Sequence, residues 1–266
     1  MVDKTEKFNW LVRLGYFSRA VLYSVLGIIA LTSAGKIGKG TDGIFNTING
    51  LPGGTLLLWI LVIGLFAYAL FRFASPVFDI ENNGTDAKGW GKRIGHAGSA
   101  IAHVALAWTA YQFASSGSAS DGGGASQAAS GVLSIQFGAA VIGVLGLAFF
   151  IAALAQAKKA ISGDFMNRIS GNAPSSTRML GGLGYAARAV VYTVIGWSLV
   201  QTGFLSSGAD NIKTLGAAVA SLTGSGWLFT LTAIGLLMFG IFSLILARYQ
   251  IIPELDKDAG IPNFRT

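Results

Sequence analysis

The chain has 266 residues, 52% of them apolar and only 12% charged, with a mean hydropathy of +0.59. Soluble domains carry roughly a quarter charged residues, so a surface this poor in charge points to lipid as the surrounding solvent. The net charge of +7 does not mark a nucleic-acid binder, because the charges are segregated along the chain, and the lack of cysteine excludes disulfides, thiol chemistry and thiolate metal sites.

A spanning helix needs about 20 mostly apolar residues. The stretches Ala20–Gly35, Gly43–Phe71, Ile94–Ser120, Gly122–Ala157, Ala189–Ala209 and Thr214–Ala247 contain no Asp, Glu, Lys or Arg. They predict six helices, near residues 12–34, 54–73, 93–115, 132–158, 181–204 and 226–249. The five prolines, Pro52, Pro76, Pro174, Pro253 and Pro262, are expected outside or at the edges of these spans. Placing the N-terminus in the cytoplasm puts 16 of the 19 Lys and Arg on the inner side, in segments 1–19, 72–93, 158–188 and 248–265. Only Lys36, Lys39 and Lys213 fall outside. That asymmetry is the positive-inside pattern, and it puts both termini in the cytoplasm.

The chain repeats itself. "GYFSRAVLYSVLG" at 15–27 and "GYAARAVVYTVIG" at 184–196 share eight of thirteen positions, and "GHAGSAIAHVALA" at 95–107 is a weaker third copy. A mid-chain copy argues against reading the first helix as a signal peptide. Asp42, Asp121 and Asp210 follow the three copies at matched distances, and each is expected to cap a short outer helix. An Ile-Gly step then recurs in each second helix, at Ile63-Gly64, Ile142-Gly143 and Ile234-Gly235. The unit is therefore helix, outer loop, short surface helix, helix. Two spans per unit return the chain to its starting side, so the units are parallel rather than inverted. The expected fold is a single all-α membrane domain, 1–266. It comprises six transmembrane helices in three parallel two-helix repeats (about 10–80, 90–162 and 178–252) around a pseudo-threefold axis.

The segments "LGYFSRAVLYSVLGIIAL", "LGYAARAVVYTVIGWSL" and "LFAYALFRF" resemble the repeated motifs of a bacterial membrane family of unknown function, domain of unknown function 1206. The resemblance implies a bacterial cytoplasmic-membrane protein with three two-helix repeats, and it transfers no catalytic role. The middle copy departs from the Gly-Tyr-x-x-Arg pattern.

Residues at i, i+3 and i+7 share a helix face. Those faces hold Tyr16, Arg19 and Tyr23; His96, Ser99 and His103; and Tyr185, Arg188 and Tyr192. Small residues beside them favour close helix contact, so the three stripes are expected to face protein and to gather around one interior site. Arg19 lies six residues past Arg13, roughly 9 Å deeper along the helix. Two readings stand. The arginines extend toward the cytoplasmic headgroups or tie helices to carbonyls. Alternatively, with no carboxylate inside any predicted span, they bind an anion or lipid headgroup; Asp79, Glu81, Asp164 and Glu254 are the nearest inner-side acids. Arg72 reads as an interfacial anchor. Trp10, Trp59, Trp90 and Trp227 read as interface residues, and Trp108 and Trp197 as packing residues.

The two histidines are seven residues apart, about 10.5 Å along one helix, too far to share a metal ion or haem. No cofactor or metal is expected. No spanning lysine, intramembrane carboxylate, phosphate-cradling loop or Ser-His-Asp set is visible, so catalysis has little support. The leading expectation is a non-enzymatic membrane protein that binds a lipid or amphipathic anion, either moving it or only holding it, with anionic membrane lipids as partners. The alternatives are an accessory subunit of a larger membrane complex, with protein partners, and a small-solute transporter.

Overall fold

A computed structural model describes residues 4–32, 40–78, 84–117, 124–206, 208–252, 254–255 and 262–263. It is almost wholly helical. Six long helices carry the fold: α1 (Lys4–Thr32), α3 (Gly54–Phe78), α4 (Ala87–Ser116), α6 (Gly138–Ser162), α7 (Thr177–Phe204) and α9 (Trp227–Tyr249). Three short ones, α2 (Gly40–Asn49), α5 (Gly124–Leu133) and α8 (Leu215–Ala220), lie in the connections between the members of each pair. A two-residue antiparallel ladder joins Glu254–Leu255 to Pro262–Asn263.

Five of the long helices are long and apolar enough to cross a membrane: α1 over Val12–Thr32, α3 over Gly54–Ala74, and α6, α7 and α9 throughout. The sixth, α4, has 30 residues but a less apolar composition, with Lys88, Lys92, Arg93, His96 and four glycines in its first half. Asp86 caps it, accepting from the Gly89 backbone N–H at 2.8 Å.

The helices pack in an arc. α6 lies on α7, α7 on α9, α9 on α1, α1 on α3, and α3 on α4. α4 and α6, the two ends of the arc, share no packed interface among the described residues. Close approach in the arc is set by glycine. A Cβ added at Gly15 would fall 2.6 Å from Tyr68 Cβ, and one at Gly184 would fall 2.7 Å from Phe239 Cβ. One turn on, Ser18 covers Gly64 and Ala187 covers Gly235. These are the same two contacts in the first and third sequence repeats.

Two arginines fasten helix ends, again at matched positions. Arg13 Nη1 donates to Ala247 O at 2.8 Å and to Arg248 O at 2.5 Å. Arg93 donates to Pro76 O from Nε at 3.0 Å and from Nη2 at 2.5 Å. The last carbonyls of a helix have no acceptor role inside it, so a cation there satisfies them and complements the helix dipole.

Several expectations change. Pro76 lies beyond the apolar span Gly54–Ala74, as expected, but the helix runs on past it to Phe78; Arg93 takes up its carbonyl. The fourth predicted helix, 132–158, starts instead at Gly138, because Phe137 adopts a left-handed φ of 67° and breaks it from α5. Asp210 does not cap α8: it sits in a 3₁₀ turn at Ala209–Asn211, and Thr214 precedes the helix. Asp42 stands within α2 rather than ahead of it, and Asp121 lies outside the described residues. Trp108 and Trp197 are more than half exposed, so they belong to the outer surface and not to the packed interior.

Candidate functional site

The site grows from two aromatic residues that the repeats place at equivalent positions on their second helices, Tyr68 on α3 and Phe239 on α9. Both are buried, at 2% and 0% exposure. Tyr68 meets the first-helix stripe of its own repeat, packing edge-on to Tyr16 at 5.5 Å between centroids. Phe239 meets Tyr23 at 4.8 Å and Tyr185 at 5.5 Å. Gly15 and Gly184 let α1 approach α3, and α7 approach α9, closely enough for these rings to touch.

The arginines join this aromatic core. Arg19 is 5% exposed, its side chain enclosed by protein. Its Nη1 donates to the Tyr68 hydroxyl at 2.7 Å, and its guanidinium lies 5.4, 5.1 and 4.9 Å from the Tyr16, Tyr68 and Phe239 ring centroids. Arg188 lies against the opposite members of the cluster, 5.6 Å from Tyr23, 4.9 Å from Tyr192 and 4.5 Å from Phe239. Its Nη2 donates to the Tyr192 hydroxyl. Both arginines thus share the Phe239 ring. Cation–ring contact is worth ~0.5–2 kcal/mol, more where water is excluded, which offsets part of the cost of holding two cations away from water.

Arg72 belongs to the same cluster. Rather than turning outward as an interfacial anchor, it donates from Nε to the Tyr68 hydroxyl at 2.9 Å and approaches His96 Nε2 at 3.5 Å. Tyr68 therefore accepts from two guanidiniums. The middle repeat contributes α4. His103 packs its ring 4.6 Å from Tyr68 and donates from Nδ1 to Ser99 O at 2.7 Å. A carbonyl only accepts, so that nitrogen carries the proton. Ser99 contributes this carbonyl. At the far side, Phe149 of α6 meets Tyr192 edge-on at 5.5 Å.

All nine stripe residues thus lie in or beside one cluster, joined by Tyr68, Arg72 and Phe239. Neither Arg19 nor Arg188 has a carboxylate partner among the described residues. Arg188 Nε is buried and has no hydrogen-bond acceptor among the described residues. Asp164 is exposed; Asp79 and Glu81 lie outside the described residues. No group of three or more His, Asp or Glu that could hold a metal ion occurs among the described residues.

The family comparison agrees with the repeated architecture. The family model Domain of Unknown Function (DUF1206) matches the chain three times, at residues 14–79, 94–163 and 183–250. The chain belongs to this family. Each match covers one first-helix stripe and the second helix that follows it. The chain is also 29% identical to the uncharacterized protein YxxB of Bacillus subtilis (strain 168) over 261 residues, which is 93% of this chain and 94% of that protein. No solved structure matches.

Proposed function

We propose that this member of the family is a non-enzymatic protein of the bacterial cytoplasmic membrane that binds an anionic lipid or amphipathic anion at the Arg19–Arg72–Arg188 cluster. In this reading α4 is a sixth span, and the three repeats stand about a pseudo-threefold axis with both termini in the cytoplasm. The exposed side of α4 supports the span: Ile94, Ile101 and Trp108, seven residues apart, form an apolar ridge on its outer face.

The observation that carries the binding reading is the buried Nε of Arg188, unbonded among the described residues, beside Arg19, which has no carboxylate partner among them either. Nearly every buried polar group in a native structure has a partner, and a guanidinium is shaped to take two oxygens of one acid group. A phosphate or carboxylate headgroup supplies that acceptor and neutralises the cluster. The surrounding rings suit the glycerol or chain region of an amphiphile better than a hydrated inorganic ion.

The test is native mass spectrometry of protein released from membranes containing phosphatidylglycerol. The wild type is expected to retain the anionic lipid. Arg188→Gln is expected to retain about tenfold less, since a hydrogen bond to a charged group is worth roughly 1.5–3 kcal/mol. Arg188→Lys, which keeps the charge but loses the fork, should fall between them. Equal lipid retention by all three, each shown to be monodisperse, would refute the reading. Stoichiometric co-purification of another chain, with lipid content indifferent to Arg188→Gln, would favour an accessory subunit.

A further inference from the structure

The two contacts that close each first helix onto its second helix are made in the first and third repeats and missing in the middle one. Gly15 meets Tyr68, and Gly184 meets Phe239; the corresponding pair in the middle repeat is Gly95 on α4 and Leu147 on α6. Ser18 covers Gly64, and Ala187 covers Gly235; the corresponding pair is Gly98 and Gly143. Yet a Cβ at Gly95 or Gly98 would meet nothing within 4 Å. Gly143 is covered instead by the ring of Phe204, from the outer end of α7. The arc of helices is open at this one place, and the opening has two unlike walls. On α4 the wall is Gly91, Gly95, Gly98 and Ala102, all small and all exposed. On α6 it is Leu147, Ile151 and Leu154, which are large, apolar and exposed, Leu154 to 72%.

The opening lies next to the arginine cluster. His96 and His103 stand on α4 beside the glycine wall, in contact with Arg72 and Tyr68. On the other side Phe149 of α6 touches Tyr192, the hydroxyl partner of Arg188. Arg188 itself is not fully buried, whereas Arg19 behind it is. A molecule passing between α4 and α6 would therefore cross apolar walls and reach Arg72 and Arg188, with its unfilled Nε, before Arg19.

We propose that the gap between α4 and α6 is a lateral entrance, through which an amphiphile with an anionic headgroup reaches Arg188 from the bilayer while its acyl chain lies between the two walls. This rests on the binding reading above. Charge and polarity are complementary along the whole path: hydrocarbon against Gly95, Gly98, Leu147 and Ile151, and acid against Arg188. The small wall leaves room for a chain as wide as the missing helix contact, and the contacts made in the other two repeats show how α4 and α6 would meet if the gap closed.

The chain has no cysteine, so a bridge can be installed without background. Gly95→Cys with Leu147→Cys, linked by a short bifunctional thiol reagent, holds the walls together in the full chain. The measurement is the exchange rate of a fluorescent phosphatidylglycerol between vesicles of phosphatidylcholine and phosphatidylglycerol and the protein in nanodiscs. Linking is expected to slow exchange at least about tenfold, an added barrier of roughly 1.4 kcal/mol, while protein loaded before linking keeps its lipid. A second variant, Gly95→Trp with Gly98→Leu, plugs the gap without a reagent and should slow exchange likewise, since both positions face open space. Unchanged exchange in both the linked and the plugged protein overturns the entrance while leaving binding intact. Links formed between two copies instead of within one overturn it also, by making the gap a self-association surface. If the wild type binds no lipid, the binding reading and the entrance fall together.

Discussion

At the scale of single residues, the arginine cluster turns on Tyr68. Its hydroxyl accepts from Arg19 at 2.7 Å and from Arg72 at 2.9 Å, so Tyr68→Phe preserves the ring and removes one oxygen on which two cations depend. Leaving a buried charged donor without its acceptor costs about 1–3 kcal/mol. We expect Tyr68→Phe to lower the unfolding stability in detergent or nanodiscs by at least that amount, and a Tyr68→Phe protein as stable as wild type would show that other groups serve the arginines. The nine stripe residues were legible because their spacing recurs in the sequence. Tyr68 and Arg72 were not, although both stand in the quoted segment "LFAYALFRF". Their counterparts in the third repeat are Phe239 and Ser243, and in the second Leu147 and Ile151. A position that is Tyr, Phe and Leu in turn reads as an apolar core site, and only the fold shows that one copy carries a hydroxyl toward the arginines.

At the scale of elements, the three pairs of helices are built alike but not packed alike. Gly184→Leu would drive a side chain into Phe239, against backbone and Cβ that cannot retreat. Overpacking of this kind costs ~1–3 kcal/mol or more, so the variant should lose monodisperse protein on size-exclusion chromatography. Gly95→Leu, at the equivalent place on α4, meets open space and should behave as wild type; comparable losses for both would mean that α4 does close on α6. The turn before each second helix offers a further comparison. Gly53, Phe137 and Gly226 all have positive φ. In Phe137 that conformation crowds the Cβ, a cost of order 1–2 kcal/mol that glycine avoids. Phe137→Gly is therefore expected to raise the melting temperature, measured by thermal unfolding in nanodiscs. The rough positions of the five strongly apolar helices were legible from charge-free runs, because lipid tolerates few charges. The break at Phe137 was hidden, since nothing in an apolar run of this composition announces a left-handed residue. The missing α4–α6 contact was hidden too, since glycines at 95 and 98 look as ready for packing as those at 15 and 184.

At the scale of the whole molecule, the number of spans decides on which side every later segment lies. The five strongly apolar helices leave α4 as the deciding element. If α4 crosses, the connections around Thr85 and Asn172 lie on the inner side, and those around Ser134 and Ser225 on the outer side. If it does not, everything from Ser134 onward is inverted, and Lys158, Lys159, Arg168, Arg178 and Arg248 all move outside, against the positive-inside bias. Packing argues in the same direction. Arg13 of α1 and Arg93 of α4 bind the last carbonyls of α9 and α3. α1 and α4 therefore start at the same level, and a helix of 30 residues is about 45 Å long at 1.5 Å per residue, enough to traverse the hydrocarbon. In the cysteine-free chain, single variants Thr85→Cys, Ser134→Cys, Asn172→Cys and Ser225→Cys, all at exposed positions, can be labelled in intact bacterial cells by a membrane-impermeant maleimide. We expect Ser134→Cys and Ser225→Cys to be labelled from outside, and Thr85→Cys and Asn172→Cys only after the cells are opened. Protection of Ser134→Cys together with outside labelling of Asn172→Cys would show that α4 does not cross, and would break the equivalence between the middle repeat and the other two.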